Sequence, residues 1–379
     1  MTPVLLNDYK SILTDDFLGV RGLEYFLLYP ANSGNSIFLE SIQRQTGATV
    51  LEGGQIANQR KYIEQNHSAV ILAMANMISA TWRASDWFIE AIESYNIPVI
   101  LISIGLEVET INDIRTLEMS DHARRLLDVA KKWNTTIGTR GYYTLEYLKS
   151  QGYDNVAAIG CPSLYSNTSL SLRPIPPIPK IMTHTTPYFH LKEELKRLFH
   201  FGIKYAEGYI IQNEERFLLS RFGVNESLVM SWFDQGKGVQ ARKTSYKHNL
   251  YEIFVPDGVT PEEFEQWMTR VGIFFTELTP WVKALASFDV SVGARFHGSV
   301  AALLSGSPAF LYTIDVRTQE LAEFHNIPHA SIQDIPPNLS FDSIREHLDY
   351  SSMEQQYQEH IHVYKQYLTA NKLQYFKTV

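Results

Sequence analysis

Short runs rich in valine and isoleucine alternate with amphipathic patterns along most of the chain, and that alternation leaves few folds open. In the first half the candidate strands are YFLLYP (25–30), TVLEGG (49–54), SAVILAM (68–74), PVILISIG (98–105), TIGTRG (136–141) and NVAAIG (155–160). Between them lie SIFLESIQRQTG, SDWFIEAIESY, DHARRLLDVAKKW and TLEYLKSQG, whose apolar residues recur at helical spacing. Apolar strands separated by helices read as buried parallel strands in βαβ units.

The alternation breaks once, at RPIPPIP (173–179). A proline cluster suits neither a central strand nor a helix interior, and its stiff extended backbone suits a connector. The second half then repeats the alternation. PKIMTHTT, GYIIQNE, LYEIFV, IFFTEL, DVSVGARF and PAFLYTI read as strands, with KEELKRLFHF, PEEFEQWMTRV, PWVKALASF and GSVAALLSG as helices. The expected organisation is a unit at 1–172, a linker at 173–179, a unit at 180–350 and a long helix at 351–379 that packs back on the first unit. The fold class is α/β: two Rossmann-like doubly wound units facing a cleft. Ligands in such sheets bind at the carboxyl ends of strands.

The chain of 379 residues is long enough for two cores. Its net charge of −8, with acids and bases interspersed, argues against non-specific nucleic-acid binding, though a local arginine cluster can still hold an anionic substrate. A single cysteine, Cys161, forms no internal disulfide. No leader pattern opens the chain, and no run of about 18 apolar residues occurs. These features predict a soluble cytoplasmic protein and leave room for peripheral association with the inner face of the cytoplasmic membrane. No His, Cys, Asp and Glu set has metal-ligand spacing, so no metal is expected, and His360 and His362 read as surface.

Five stretches could carry chemistry. In VGARFHGSVAALLSGSP (292–308), Arg295 and His297 stand where a strand ends and a helix begins. A helix start offers free N–H groups to an anion, an arginine forks onto phosphate or carboxylate, and a histidine moves a proton near neutral pH. Gly293 and Gly298 would let a ligand approach the backbone. The same residues equally fit a solvated helix start. Arg140, in TIGTRGYYTLEYLKSQGYDNVAAIGCPSL (136–164), holds a similar position, with Thr144 at the next helix and Cys161 reading as a small buried residue. YPANSGNSI (29–37) is a turn-rich loop able to cradle phosphate or sugar hydroxyls, without P-loop or GxGxxG spacing. YTIDVRTQELAEF (312–324) places Asp315 and Arg317 after a strand, Asp315 also fitting a helix cap. GKGVQARKTSYKH (236–248) is basic and reads as a solvated loop.

Taken together, these stretches resemble the polysaccharide pyruvyl transferase family. The family's Arg-x-His and Gly-x-Pro elements correspond to Arg295, Phe296 and His297 with Gly306, Ser307 and Pro308. Its Asp-x-Lys element corresponds to Asp315 and Arg317, with arginine for lysine. Arg140, Thr144, Leu148, Gly152 and Gly160-Cys161-Pro162-Ser163 match upstream. Asn32-Ser33-Gly34-Asn35 is similar to its Asn-x-Gly-Asp, with Asn35 where an acid is usual.

The resemblance implies a GT-B glycosyltransferase-like fold and pyruvyl transfer from phosphoenolpyruvate to a sugar as a cyclic ketal, with no cofactor. It assigns Arg140, Arg295 and Arg317 to phosphoenolpyruvate and His297, with Arg295, to catalysis. It sets Asn32, Gly34 and Asn35 against the acceptor, a glycan or lipid-linked oligosaccharide. A nucleotide-sugar glycosyltransferase, with Glu320 or Glu323 on a ribose, and a catalytically silent glycan-binding relative are the rival readings.

Overall fold

The computed structural model describes residues 1–6, 32–186, 188–212, 231, 254–275 and 277–376. The expected strand at 25–30 and the basic stretch 236–248 lie outside the described residues. Of LYEIFV only Phe254 and Val255 lie within them, and Phe254 is buried in a core without joining a strand.

Twelve described strands form two parallel arrays. The first holds β1 (Val4–Leu6), β2 (Thr49–Leu51), β3 (Val70–Leu72), β4 (Val99–Leu101), β5 (Ile137–Thr139) and β6 (Val156–Ala158). Four pair in the order β2-β1-β3-β4, and a parallel bridge from Ile104 to Thr139 continues them into the β5-β6 pair. The second holds β7 (Ile181–His184), β8 (Ala206–Ile211), β9 (Gly272–Phe274), β10 (Val290–Gly293), β11 (Ala309–Thr313) and β12 (His329–Ser331). Its order is β12-β11-β10-β7-β8-β9, with every pairing parallel. The chain walks outward one way from β7 and the other way from β10. That reversal opens a crevice at the carboxyl ends of β7 and β10, where doubly wound sheets hold ligands.

Valine and isoleucine make these strands because both sheet faces are covered by helices: β3, β4 and β10 are buried throughout. The covering helices follow local rules. Ser120 caps Asp121–Lys132 by accepting from the Ala123 N–H, and Lys131 and Lys132 meet the negative end of the dipole. Thr260 and Glu263 form a capping box ahead of Pro261–Val271, with proline at the first position.

The stretch 49–54 stops being strand at Leu51. Glu52 and Gln55 bond reciprocally to each other's backbone and start the helix Gly53–Asn58. The expected loop at Asn32–Asn35 is also a helix start. Asn32 caps Ser33–Thr46, its Oδ1 accepting from the Gly34 N–H at 3.1 Å. β1 and β12 are additions to the strands expected from sequence.

The two units share buried contacts. The helix Ser33–Thr46 packs against Phe296–Leu304, and Ile37, Phe38, Val300 and Ala301 lie in one apolar cluster. The helix Ser351–Ala370 returns to the N-terminal unit, where Tyr367 donates to Leu101 O at 2.8 Å and Asn371 bonds both sides of the Thr136 peptide. His360 on the same helix, expected at the surface, is buried against the C-terminal unit, stacked on Phe324 and edge-on to His325. The periodic pattern that puts His362 outward turns His360 inward. Residues 173–179 carry no regular structure. Arg345 donates to the carbonyls of Pro176 and Pro177.

Candidate active site

A cavity of about 210 Å³ lies between the units, lined from both. Its walls come from strand-end segments. The N-terminal unit supplies Asn32 and Asn35, Asn76 after β3, Glu107 after β4 and Arg140 after β5. The C-terminal unit supplies Thr186 and Tyr188 after β7, Gln212 after β8, Arg295 and His297 after β10, and Arg317 after β11.

Arg295 ends its strand with its main-chain N–H donating to His184 Nδ1 at 3.0 Å and its Nε donating to Thr185 O at 2.7 Å. The guanidinium is therefore fixed before any ligand arrives. Because Nδ1 of His184 accepts, its proton sits on Nε2, which faces Ser291 Oγ at 3.2 Å. Burial, reinforced by Arg295, pulls His184 down to about 3, so it stays neutral. Gly293 and Gly298 serve this imidazole. A Cβ on Gly298 would meet His184 Cδ2 at 2.5 Å, and one on Gly293 would collide with the His184 carbonyl. The space expected for a ligand is filled by His184. His184 itself was invisible to sequence reasoning, because nothing local in IMTHTT points to residues more than a hundred positions away.

Arg140 is buried, its Nε donating to Ser103 O at 3.2 Å and its guanidinium 5.6 Å from the Phe38 ring centroid. Burial lowers it to about 10, still charged at neutral pH. Arg317 donates to Asp315 Oδ2 at 2.8 Å and faces Glu107 Oε1 at 3.9 Å across the units. Burial works against its charge, but Asp315 and Tyr188 outweigh that and hold it protonated. Asp315 also caps the following helix, accepting from the Thr318 N–H at 2.8 Å, so it both caps and pairs.

His297 sits among these cations. Its ring is 6.3 Å from Phe38, and its Nε2 is 3.7 Å from Cys161 Sγ. Burial lowers its pKa to about 3, and Arg140, Arg317 and Arg295 push the same way. The imidazole is therefore neutral at pH 7, and its remaining N–H is too weak an acid to donate until something offsets that positive field. Gly34 touches it: a Cβ there would lie 2.8 Å from His297 Nδ1. Gly34 therefore seats the histidine, while Asn32 and Asn35 reach the cavity wall.

Cys161 is fully buried, 2.9 Å from Ser163 Oγ, and burial raises its pKa. Glu320 and Glu323 face the N-terminal unit, bonded to Thr144 and Tyr143. Among the described residues, no three His, Cys, Asp or Glu side chains come together as a metal site.

The sequence family model for polysaccharide pyruvyl transferase matches residues 23–315. This chain belongs to the polysaccharide pyruvyl transferase family. Among curated proteins none matches it. Similar solved structures include an uncharacterized protein of Klebsiella pneumoniae subsp. pneumoniae NTUH-K2044, 12% identical with a TM-score of 0.39, covering 85% of this chain and 100% of that one. S. aureus MnaA bound to UDP is 7% identical with a TM-score of 0.46, covering 98% of this chain and 94% of that one. Asn35 and Arg317, the two positions expected from sequence to depart from the family's pattern, both line the cavity. No described helix is long and apolar enough to cross a membrane.

Proposed function

We propose that this chain transfers the pyruvyl group of phosphoenolpyruvate to two hydroxyls of one sugar, closing a cyclic ketal and releasing phosphate. The observation that carries this reading is the convergence of Arg140, Arg295 and Arg317 around His297 in one small cavity. A compact donor bearing both phosphate and carboxylate supplies the negative charge that such a cluster lacks. The N–H groups at the start of Phe296–Leu304 add to the anion site.

In the reaction the donor's methylene carbon takes a proton and a sugar hydroxyl adds to C2. The C2–O bond to phosphate then breaks with its electron pair, and the second hydroxyl closes the ketal. Two hydroxyl protons are released; one ends on the new methyl group and the other leaves on the phosphate. His297 is the general acid in this scheme, charged once the donor anion has cancelled the arginine field. Asn32 and Asn35 face the acceptor, a sugar of a surface-polysaccharide precursor, free or lipid-linked. A lipid-linked acceptor would bring the protein to the inner membrane face. No cofactor is needed, because the donor carries its own leaving group.

The nucleotide-sugar alternative loses its nominated ribose ligands, since Glu320 and Glu323 are engaged with Thr144 and Tyr143. The test is phosphate release from phosphoenolpyruvate with a panel of glycosides, for wild type, Arg295→Ala and His297→Ala. Acceptor-dependent release lost in both folded variants supports the reading. No release and no thermal stabilisation by the donor favours a silent glycan-binding relative.

A further inference from the structure

The reaction above leaves one chemical demand unmet by the arginines and His297. Each acceptor hydroxyl must lose a proton, and a hydroxyl is a poor nucleophile while it keeps one. Neither Asn32 nor Asn35, which face the cavity from the acceptor side, can take a proton at neutral pH. Among the described residues lining the cavity, the one carboxylate is Glu107.

Its placement suits the task. Glu107 lies after β4 on the N-terminal unit, across the cavity from Arg295 and His297 on the C-terminal unit. Its main chain is tied on both sides: the Glu107 N–H donates to Ile78 O at 2.9 Å, and the next carbonyl, of Val108, accepts from Val316 N at 3.3 Å. The side chain is half-exposed, so an acceptor arriving from solvent meets it first. Asn76 Nδ2 lies 3.4 Å from Oε1, and Arg317 NH1 lies 3.9 Å from the same oxygen. The Asn76 approach orients the carboxylate. The Arg317 approach, longer than a hydrogen bond, offsets its charge and leaves lone pairs for a hydroxyl.

We propose that Glu107 is the general base of the transfer, accepting the proton of the attacking sugar hydroxyl as the oxygen bonds to C2. The inference rests on the pyruvyl-transfer reading of the same site. In the first step the O–H bond breaks, its proton moves to the Glu107 carboxylate, and the oxygen lone pair forms the bond to C2. In the same step the donor's double-bond pair takes the proton of His297. The proton on Glu107 is then available to recharge the acid through solvent. The groups that face Glu107 are Asn76 beside it and Arg317, with Asp315, opposite. Arg140, Arg295, His297 and Tyr188 lie deeper in the same cavity.

The test compares wild type with Glu107→Gln and Glu107→Asp in the full chain. Phosphate release from phosphoenolpyruvate is followed with methyl glycosides of galactose, glucose and mannose, and with water as the slow nucleophile. Donor binding is followed by calorimetry. The expected result for Glu107→Gln is a kcat lower by about 100-fold with donor affinity unchanged or tighter. Glu107→Asp restores part of the rate, and the acid limb of the wild-type pH–rate profile is missing in Glu107→Gln. A residue that merely held Arg317 would show the opposite split, a weakened donor KM with kcat preserved, and that result overturns the assignment. Glu107→Gln turnover within a few-fold of wild type overturns it too and leaves the donor reading standing. Wild type that neither binds phosphoenolpyruvate nor releases phosphate under any of these conditions takes down both.

Discussion

Glu320, on the C-terminal unit, accepts from both the main-chain N–H and the hydroxyl of Thr144, on the N-terminal unit, at 2.6 and 2.7 Å. Thr144 in turn accepts from the Leu106 N–H, so three segments meet in one buried junction. Gly141 lies against Glu320, where a Cβ would strike its Cγ.

Burial lifts Glu320 to about 7, against an ordinary value of 4.5. The folded state then holds a proton between those values that the unfolded chain has lost. Stability therefore falls as pH rises through that window, by at most about 3 kcal/mol at roughly 1.4 kcal/mol per unit. Glu320→Gln keeps an acceptor for the Thr144 N–H and cannot ionise. Its unfolding free energy, measured in urea at pH 5 and pH 8, is expected to change less than that of wild type. Equal slopes for the two proteins would remove Glu320 as the source.

Gly298 and His184 are coupled by the close approach of their atoms. Gly298→Ala sets a Cβ 2.5 Å from a ring that cannot swing away, because it is bonded to Arg295 N and faces Ser291 Oγ. Overpacking of this kind costs about 1–3 kcal/mol. His184→Ala removes the clash but leaves the Arg295 N–H without its acceptor, which itself costs about 1–3 kcal/mol. In a double-mutant cycle the pair is expected to be less destabilised than the sum of the singles. Strict additivity would mean the ring moves freely.

Cys161 sits fully buried against Ser163 and His297, with its pKa raised by burial. A thiol held protonated and shielded is a poor nucleophile. Iodoacetamide is expected to label it only as fast as the chain unfolds, and Cys161→Ser, which keeps a polar group beside His297, to retain more activity than Cys161→Val. Rapid labelling of the folded protein would contradict the burial.

What the sequence made legible is what local chemistry determines. The strand at Val99–Leu101 and the helix at Asp121–Lys132 follow from an apolar run and a 3.6-residue period. Arg140, Arg295 and Arg317 could be singled out because each lies in the segment between a strand and the first turn of the next helix. β12 escaped notice because His-Ala-Ser has no apolar signature, and β1 because Val-Leu-Leu stands alone at the start of the chain, before the alternation of strands and helices sets in. Gly293 and Gly298 were legible as tight spots, but their occupant, His184, comes from another strand. Glu107 has no local signal in the sequence, because its significance depends on Arg317 from the other unit.

His297 carries the most direct test of how the site is charged. Its pKa of about 3 in the ligand-free protein arises from burial and then from Arg140, Arg317 and Arg295, so it is neutral at pH 7. A donor anion seated on those arginines reverses their effect and raises the pKa. A group whose pKa rises on binding takes up protons when the ligand binds, and affinity then strengthens as pH falls, by up to about tenfold per pH unit. Calorimetry of phosphoenolpyruvate binding in buffers of different ionisation enthalpy is expected to show net proton uptake in wild type. Working above about pH 7.5 keeps the donor's own phosphate fully ionised. His297→Gln should bind the donor without that uptake. Equal uptake in both proteins would place the proton elsewhere and remove His297 as the general acid.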